Sequence, residues 1–98
     1  MSLQIIIENL RHNTPCYVYD VRVDRSNKIL GNPFFMAQES QREQVCDSYR
    51  DSPKGKEYML EIERLSGLLK KHGQLRLFCW CAPKRCHAET IRDLILGT

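Results

Sequence analysis

Two short segments near the start of the chain have the apolar patterns of β-strands, one a β-branched run and the other an alternation of apolar and polar residues. Leu3–Ile7 is rich in β-branched side chains and precedes a polar segment, which predicts a buried strand followed by a loop. Cys16–Asp24 alternates more regularly, so a second strand with one water-facing side is expected there. Its predicted apolar face consists of Tyr17, Tyr19, Val21 and Val23. Turn-forming residues then predict an ordered loop over residues 25–34, within a longer connection that extends to residue 38.

After this loop the spacing of apolar residues changes to that of amphipathic helices. A first helix is predicted over Ser40–Arg50, where three apolar side chains share one face among Gln and Glu residues. A longer helix is predicted next, with Ser52 as its cap, Pro53 at its first position and Gly73 at its end. The apolar face of the first helix consists of Val45, Cys46 and Tyr49, and that of the second of Tyr58, Ile62, Leu65 and Leu69.

The remaining predicted elements are a strand over Leu75–Cys81 and an amphipathic helix that ends at Gly97. The order is therefore strand, strand, loop, helix, helix, strand and helix. This order is typical of a single small α/β domain over residues 1–98, with a three- to four-stranded, largely parallel sheet and about three helices. The first and last strands are expected to be parallel neighbours. So small a sheet leaves edges and apolar faces uncovered, which favours a homo-oligomer.

Length, charge and cysteine count narrow the classes of function. A chain of 98 residues has room for one core, and its net charge of +3 gives no support to a nucleic-acid or membrane-surface role. No apolar run approaches the roughly 18 residues of a membrane-spanning helix, and the start lacks the features of a signal peptide. A cytoplasmic location is therefore expected. The odd number of cysteines, 5, argues against a disulfide framework in that compartment.

Polar and positively charged residues follow each of the three predicted strands. Ligands of open α/β sheets bind at the carboxyl ends of the strands, so these loops are expected to meet in one pocket. Arginines there would bind phosphate, amides would bind base or ribose edges, and aromatic rings would stack, which suits a nucleotide. The candidate ligand-binding residues are Asn9, Arg11, Arg25, Asn32, Pro33, Phe34, Trp80, Pro83, Lys84, Arg85 and His87. Taken singly, each also has a purely structural interpretation: turn-forming asparagines, solvated arginines and a packed tryptophan.

Residues 75–87, LRLFCWCAPKRCH, contain three cysteines and the only tryptophan of the chain, and a zinc site is the first interpretation to weigh. Structural zinc sites usually combine two pairs of ligands that are well separated in sequence. Here the neighbouring side chains of Cys86 and His87 would point about a hundred degrees apart on a helix. This spacing argues against zinc. The four potential ligands are Cys79, Cys81, Cys86 and His87.

Thiol catalysis is the second interpretation of this segment. Cys79 and Arg85 have the spacing found in the phosphate loop of cysteine phosphatases, between a strand and a helix. The intervening residues include no glycine, and Pro83 removes one backbone donor, so the match is weak. The favoured interpretation is a binding wall without chemistry. In it, small thiols let Trp80 and the start of the helix approach a ligand, Pro83 stiffens the turn, and His87 donates a hydrogen bond or packs in the core.

Motifs spread over nearly the whole chain resemble those of one family. They are Asn9-Leu10-Arg11, Leu30-Gly31-Asn32-Pro33-Phe34, Tyr49-Arg50, and Cys79-Trp80-Cys81-Ala82-Pro83 followed by Cys86-His87. They are similar to motifs of a small phage and bacterial domain of unknown function that includes the type-two Thoeris anti-defence proteins. The resemblance implies a homotetramer that sequesters glycocyclic ADP-ribose, made by Toll/interleukin-receptor-like defence enzymes, in pockets at subunit contacts. Some homologues also hold cyclic di- or trinucleotides, and none of these activities turns the ligand over.

The leading hypothesis is therefore a phage sponge for a cyclic nucleotide signal in the host cell cytoplasm, with no catalytic residue, metal or cofactor. Its motif positions are Asn9, Arg11, Asn32, Trp80 and His87. Two alternatives from other classes remain. One is an enzyme that processes a nucleotide with Cys79, Cys86 or His87, and the other is a module that binds a host protein through an exposed sheet edge.

Overall fold

In a computed structural model that describes residues 3–34, 36–81 and 84–97, the chain folds into one α/β layer arrangement. The described residues form a three-stranded, all-parallel sheet in the order β1-β3-β2, together with three α-helices and one short 3-10 helix. The strands are β1 (Gln4–Asn9), β2 (Asp20–Arg22) and β3 (Gln74–Cys79). The helices are α1 (Arg42–Asp51), preceded by the 3-10 turn Glu39–Gln41, α2 (Lys56–His72) and α3 (Ala88–Leu96). The predicted fold class is confirmed.

The register brings the carboxyl ends of all three strands to one edge of the sheet. Asn9 lies opposite Cys79, and Arg22 lies opposite Phe78 on the other side of β3. The first and last strands are parallel neighbours, as predicted, and β3 occupies the centre. Because loops leave parallel strands at this edge, it is the expected place for a ligand.

Helices α2 and α3 cover one face of the sheet. The stripe predicted on α2 is confirmed, since Ile62 and Leu65 are fully buried against Leu77 on β3 and Ile91 on α3. Gly73 ends α2 in the left-handed conformation, with φ of 76°, and β3 begins at the next residue. Glycine suits this position because it has no Cβ to oppose a positive φ.

The second strand is shorter than the sequence predicts. The carboxylate of Asp20 accepts hydrogen bonds from the backbone N–H groups of Cys16 (2.8 Å) and Tyr17 (3.0 Å) and so folds the preceding residues into a turn. The rings of Tyr17 and Tyr19 stack 5.1 Å apart outside the sheet, and 55% of Tyr17 is exposed. The predicted apolar strand face is therefore wrong for these two tyrosines, although Val23 is fully buried.

The second helix begins later than predicted, because Ser52, the residue predicted as its cap, hydrogen-bonds to the end of α1 instead. Ser52 lies at the end of α1 and its hydroxyl donates to the carbonyl of Tyr49 (2.9 Å). The ammonium of Lys54 donates to the carbonyls of Tyr49 (2.6 Å) and Ser52 (2.7 Å), as cations do at helix C-termini. Helix α2 instead starts after Gly55.

None of the helices in the described part of the chain is both long and apolar enough to span a membrane.

Candidate functional site

A cavity of about 510 Å³ opens at the carboxyl end of β2 and β3. Four segments form its wall: the loop that follows β2, the inner side of α1, the residues just after β3, and the residues that lead into α3. The sequence predicts this location, because three of the contributing segments are strand ends or the loops that follow them.

Trp80 forms the most accessible part of the wall. It lies one residue beyond β3, and 55% of it is exposed. Its indole Nε1–H donates to the Oδ2 atom of Asp24 (2.9 Å), which fixes one edge of the ring. An exposed ring held by its edge can stack on a flat ligand without first losing its own rotational freedom.

Asp24 is the acceptor around which this wall is organised. It is 6% exposed and accepts hydrogen bonds from the guanidinium of Arg22 (2.7 Å) and the hydroxyl of Ser26 (2.6 Å) as well as from Trp80. Burial alone would raise the pKa of this carboxyl, but the three donors and the charge of Arg22 together lower the pKa to about 2. Asp24 is therefore ionised at neutral pH, with its oxygens already engaged by protein donors.

The loop after β2 requires a glycine at position 31. A Cβ there would lie 2.5 Å from the carbonyl oxygen of Asn27 and 2.7 Å from that of Asp24, closer than van der Waals contact allows. Asn27 braces the same turn, since its Oδ1 atom accepts from the N–H groups of Ile29 (3.0 Å) and Leu30 (2.9 Å). Asn27 and Gly31 thus fix the turn that precedes the cavity-lining residues of this loop.

Three residues of this loop line the cavity: Arg25 at its start, and Asn32 and Phe34 after Gly31. The Oδ1 atom of Asn32 accepts from the backbone N–H of Phe34 (2.8 Å), so the structural turn interpretation holds for this asparagine. The remaining polar atom of its side chain is the amide nitrogen, a donor. The guanidinium of Arg25 donates to the carbonyl of Phe34 (2.8 Å) and keeps a cation at this rim.

Arg42, at the start of α1, is a cavity residue that sequence reasoning missed. Its guanidinium binds the carboxylate of Glu39 (2.7 and 2.8 Å) and the backbone carbonyl of Arg85 (2.9 Å), and only 14% of its side chain is exposed. The hydrogen bonds that Arg42 donates to Glu39, together with its hydrogen bond to Cys81, raise the pKa of Arg42. Nothing in the sequence distinguished this arginine from the other polar residues of a predicted amphipathic helix.

Four cysteines also contribute to the wall, and their environments differ. The sulfurs of Cys79 and Cys86, both buried, lie 3.1 Å apart. The hydrogen bond from Cys86, with a further contribution from Arg42, lowers the pKa of the half-buried Cys81 to about 6. The pKa of Cys86 is raised, first by the bond to Cys79 and then by Cys81 and burial, and burial raises the pKa of Cys46. Of Cys46, Cys81 and Cys86, Cys81 is the one whose pKa is lowered.

His87 borders the cavity but has a packing role. It is buried, its Nε2 atom is hydrogen-bonded to the backbone carbonyl of Val23, and its ring lies 5.0 Å from that of Tyr49. Burial lowers the pKa of the imidazole, so the ring is neutral at pH 7. The contact ties the start of α3 to the end of β2, which is the core role weighed from the sequence.

The remaining predicted site residues lie beside the cavity or away from it. Asn9 donates to the carbonyl of Trp80 (3.3 Å), and its Oδ1 atom accepts from the backbone N–H of Arg11 (2.8 Å). Its side chain therefore connects the end of β1 to Trp80. The exposed Arg11 and Pro33 are not part of the lining. Lys84 and Arg85 also lie outside it, and Pro83 lies outside the described residues.

Ion pairs with acidic residues hold Lys84 and Arg85 outside the cavity lining. The Lys84 ammonium lies 3.4 Å from Glu39, and the Arg85 guanidinium contacts Glu43 (2.5 Å) and Asp47 (2.8 Å) on α1. Hydrogen bonds to those two carboxylates raise the pKa of Arg85. Arg85 therefore does not face the sulfur of Cys79, as the phosphatase-like interpretation would require, and Cys79 itself is buried. Among the described residues, no group of three or more metal-binding side chains is arranged to hold an ion.

Comparison with known proteins gives one match. A family model described as a domain of unknown function, DUF4326, matches residues 8–97. No curated protein and no solved structure matches the chain. The match includes all four segments of the cavity wall and all but four residues of the sheet, since β1 is matched from Glu8 onward. The chain therefore belongs to the DUF4326 family.

Proposed function

We propose that this protein binds and sequesters a cyclic nucleotide signal without degrading it. The proposed ligand is glycocyclic ADP-ribose, with cyclic di- or trinucleotides as further ligands of the same type. The protein would act as a phage anti-defence sponge in the cytoplasm of the host cell. The proposal combines the motif resemblance of the sequence with the chemistry of the cavity.

The size and the flat surfaces of the cavity support a nucleotide-sized ligand. A volume of about 510 Å³ lies within the range of roughly 300–1,000 Å³ typical of small-molecule sites. Trp80 and Phe34 are aromatic, line the cavity and are each more than one-third exposed. Stacking on such rings contributes about 1–3 kcal/mol for each base in single-stranded nucleic-acid complexes.

The charges of the cavity also suit a ligand that contains phosphates. Arg25 at the rim supplies a guanidinium whose forked donors match phosphate oxygens. Arg42 adds a second positive charge in the wall, while its own forked donors bind Glu39. The only carboxylate among the described lining residues, Asp24, is occupied by Arg22, Ser26 and Trp80. Its negative charge is therefore partly neutralised within the protein, which reduces its repulsion of an anionic ligand.

A second copy of the chain completes the site in this proposal. Trp80 and Phe34 line the cavity and are 55% and 37% exposed, so each keeps surface that a partner subunit would cover. Ligand pockets usually cover most of the surface of their ligand, and a subunit contact over the opening would supply the missing cover. This agrees with the homotetramer that the resemblance implies.

The observation that carries the proposal is an exposed indole, fixed by a buried carboxylate, in the same cavity as two guanidiniums. Sequestration needs affinity and a slow dissociation rate, and does not need groups that stabilise a transition state. A ring fixed before binding contributes to such affinity, because less side-chain entropy is lost when the ligand arrives.

The proposal is tested by retention and release. Protein is mixed with glycocyclic ADP-ribose, freed of unbound ligand by filtration, heat-denatured, and the released ligand is identified by mass spectrometry. Intact ligand in the denatured fraction is expected. Absence of retention at micromolar protein and ligand would remove this ligand, and would leave a protein-interaction module as the remaining hypothesis.

Variants locate the binding site in the same assay. Trp80→Ala is expected to reduce retention at least tenfold, whereas Trp80→Phe should keep a part of it because a flat ring remains. Tyr17→Ala is the matched control, because Tyr17 is also 55% exposed and aromatic but is not part of the cavity wall. Equal losses in the two alanine variants would place the ligand elsewhere.

A nucleotide-processing enzyme is the second candidate, and one observation favours it. The thiol of Cys81 lines the cavity beside Arg42 with its pKa lowered to about 6, as a nucleophile requires. The thiols and imidazole nominated from the sequence are buried, so the candidate nucleophile moves from Cys79 or Cys86 to Cys81. Conversion of the ligand by wild-type protein, abolished in Cys81→Ser, would establish this enzyme. Intact ligand from both proteins would exclude it.

A further inference from the structure

Three sulfur atoms meet at the point where the end of β3 approaches the start of α3. Cys79, Cys81 and Cys86 all line the cavity, but Cys81 is half-buried, whereas Cys79 and Cys86 are buried with their sulfurs 3.1 Å apart. The thiol of Cys86 is also a hydrogen-bond partner of Cys81. The cluster therefore contains one accessible sulfur and two inaccessible ones.

The surroundings of Cys81 favour its charged form. It accepts a hydrogen bond from Cys86 and lies beside the guanidinium of Arg42, and both lower its pKa. Arg42 is held in place by Glu39 and by the backbone carbonyl of Arg85, so the positive charge is fixed next to the sulfur. Thiolates with these features, accessible and next to a cation, are the cysteines that oxidants attack.

Cys86 is placed to react second, after Cys81 has been oxidised. It is buried and its raised pKa keeps it as a neutral S–H group, so it does not compete with Cys81 for the oxidant, while its sulfur contacts those of Cys79 and Cys81. A thiol in contact with an oxidised cysteine can displace water from it and form a disulfide.

We propose that Cys81 is a modification site for hydroperoxides, and that Cys86 resolves the oxidised product into a Cys81–Cys86 disulfide. In the first step the Cys81 thiolate attacks one peroxide oxygen and breaks the O–O bond. The sulfur becomes a sulfenic acid, and the other oxygen takes up a proton and leaves as water or an alcohol. In the second step the sulfur of Cys86 attacks the sulfenic sulfur, its proton joins the departing hydroxide, and water leaves. Two thiols are oxidised and one peroxide is reduced.

The product changes the wall of the cavity. Cys81 is drawn towards the buried sulfur of Cys86, and the negative charge beside Arg42 disappears. The inference goes beyond the proposed function, because it concerns the thiols alone and its test needs no nucleotide.

Competitive alkylation gives the first test and uses an internal control. Native protein is treated at pH 7 with less than one equivalent of iodoacetamide, and the labelled cysteines are identified by peptide mapping. Cys81 is expected to be labelled at least tenfold faster than Cys16, which is the exposed cysteine of the described chain. The rate at Cys81 should level off above pH 7. Faster labelling of Cys16, or a Cys81 rate that still rises steeply between pH 8 and pH 9, would overturn the proposal.

Hydrogen peroxide gives the second test. Wild-type protein is expected to lose two hydrogen atoms in mass and to yield a peptide linked through Cys81 and Cys86. The Cys86→Ser variant should instead accumulate a sulfenic acid at Cys81 that dimedone traps. The Cys81→Ser variant should react at least tenfold more slowly than wild type. A disulfide between Cys79 and Cys86 that forms equally fast in Cys81→Ser would contradict the assignment of Cys81.

Arg42 provides a control that separates charge from packing. Arg42→Lys keeps a cation at this position and is expected to retain most of the reactivity of Cys81. Arg42→Gln removes the cation and should shift the pH dependence of alkylation at Cys81 to higher pH, while circular dichroism shows the same helical content in both variants. An unchanged pH profile in Arg42→Gln would show that the cation does not activate the thiol.

Discussion

Replacement of Asp24 by asparagine tests the group that organises the cavity wall. The substitution keeps the shape of the side chain but removes its charge, and it places an N–H₂ group where a donor is now bound. Either Arg22 or Trp80 then faces a donor instead of an acceptor. We expect the folded state to be less stable and the indole of Trp80 to lose its fixed orientation.

The size of the effect follows from the pKa of Asp24. A fall of that pKa from 3.8 to about 2 corresponds to about 2 kcal/mol of stability at neutral pH. Because the folded-state pKa is the lower one, this stability is fully present above pH 4. It is lost as the pH falls from about 4 towards 2, where the folded protein also takes up the proton. The stability gap between wild type and Asp24→Asn should therefore be about 2 kcal/mol at pH 7 and narrow below pH 4.

Urea unfolding measures this gap. Circular dichroism follows the backbone, and fluorescence follows Trp80, which is the only tryptophan of the chain. Asp93→Asn is the control, since Asp93 forms an exposed ion pair with Arg92, and a change below about 0.5 kcal/mol is expected there. A gap near zero at pH 7, or a gap that stays constant from pH 7 to pH 3, would refute the role assigned to Asp24.

Three further predictions concern backbone and core positions. Gly73→Ala should lower the free energy of unfolding by about 1 kcal/mol, because the φ of Gly73 is 76°. Gly67→Ala within α2 should raise it by about 0.5 kcal/mol in the same urea titration, because a Cβ there meets no other atom and alanine favours the helix. Gly31→Ala should weaken nucleotide retention, because its Cβ would collide with two backbone carbonyls of the cavity loop, whereas Gly67→Ala should retain ligand like wild type. Leu77→Ala, at a fully buried position of β3, should lower the free energy of unfolding by about 3 kcal/mol, and a loss below about 1 kcal/mol would show that the core had been misjudged.

Several features of the fold could be predicted because local pattern and tertiary packing agree. The stripe on α2 is buried as its spacing predicts, and β1 and β3 are parallel neighbours. The strand predicted over Cys16–Asp24 was wrong at its start, because the Asp20 carboxylate captures two backbone N–H groups and folds the chain into a turn. The start of α2 was wrong because Ser52 and Lys54 bind the end of α1, a competition that local cap signals do not show.

The candidate site could be located from the sequence, but its composition could not be completed. Trp80 and Asn32, both nominated from the sequence, line one cavity, because a strand end and a glycine-containing loop meet at that edge. Arg42 was missed, since its neighbours on α1 are equally polar and only the tertiary structure brings it beside Cys81. The choice among the thiols also needed the structure, because sequence spacing does not reveal that Cys81 is half-buried while Cys79 and Cys86 are buried.

The central claim is that the cavity beside Trp80 binds an anionic cyclic nucleotide. Titration of glycocyclic ADP-ribose into wild-type protein, followed by Trp80 fluorescence, tests this most directly, because the chain has no other tryptophan. A saturable change in emission is expected, and it should be strongly weakened in Arg42→Gln and unaffected in Tyr17→Ala. Retention of the ligand in equilibrium dialysis with no change in Trp80 emission would contradict the claim, and so would a titration without binding at millimolar ligand.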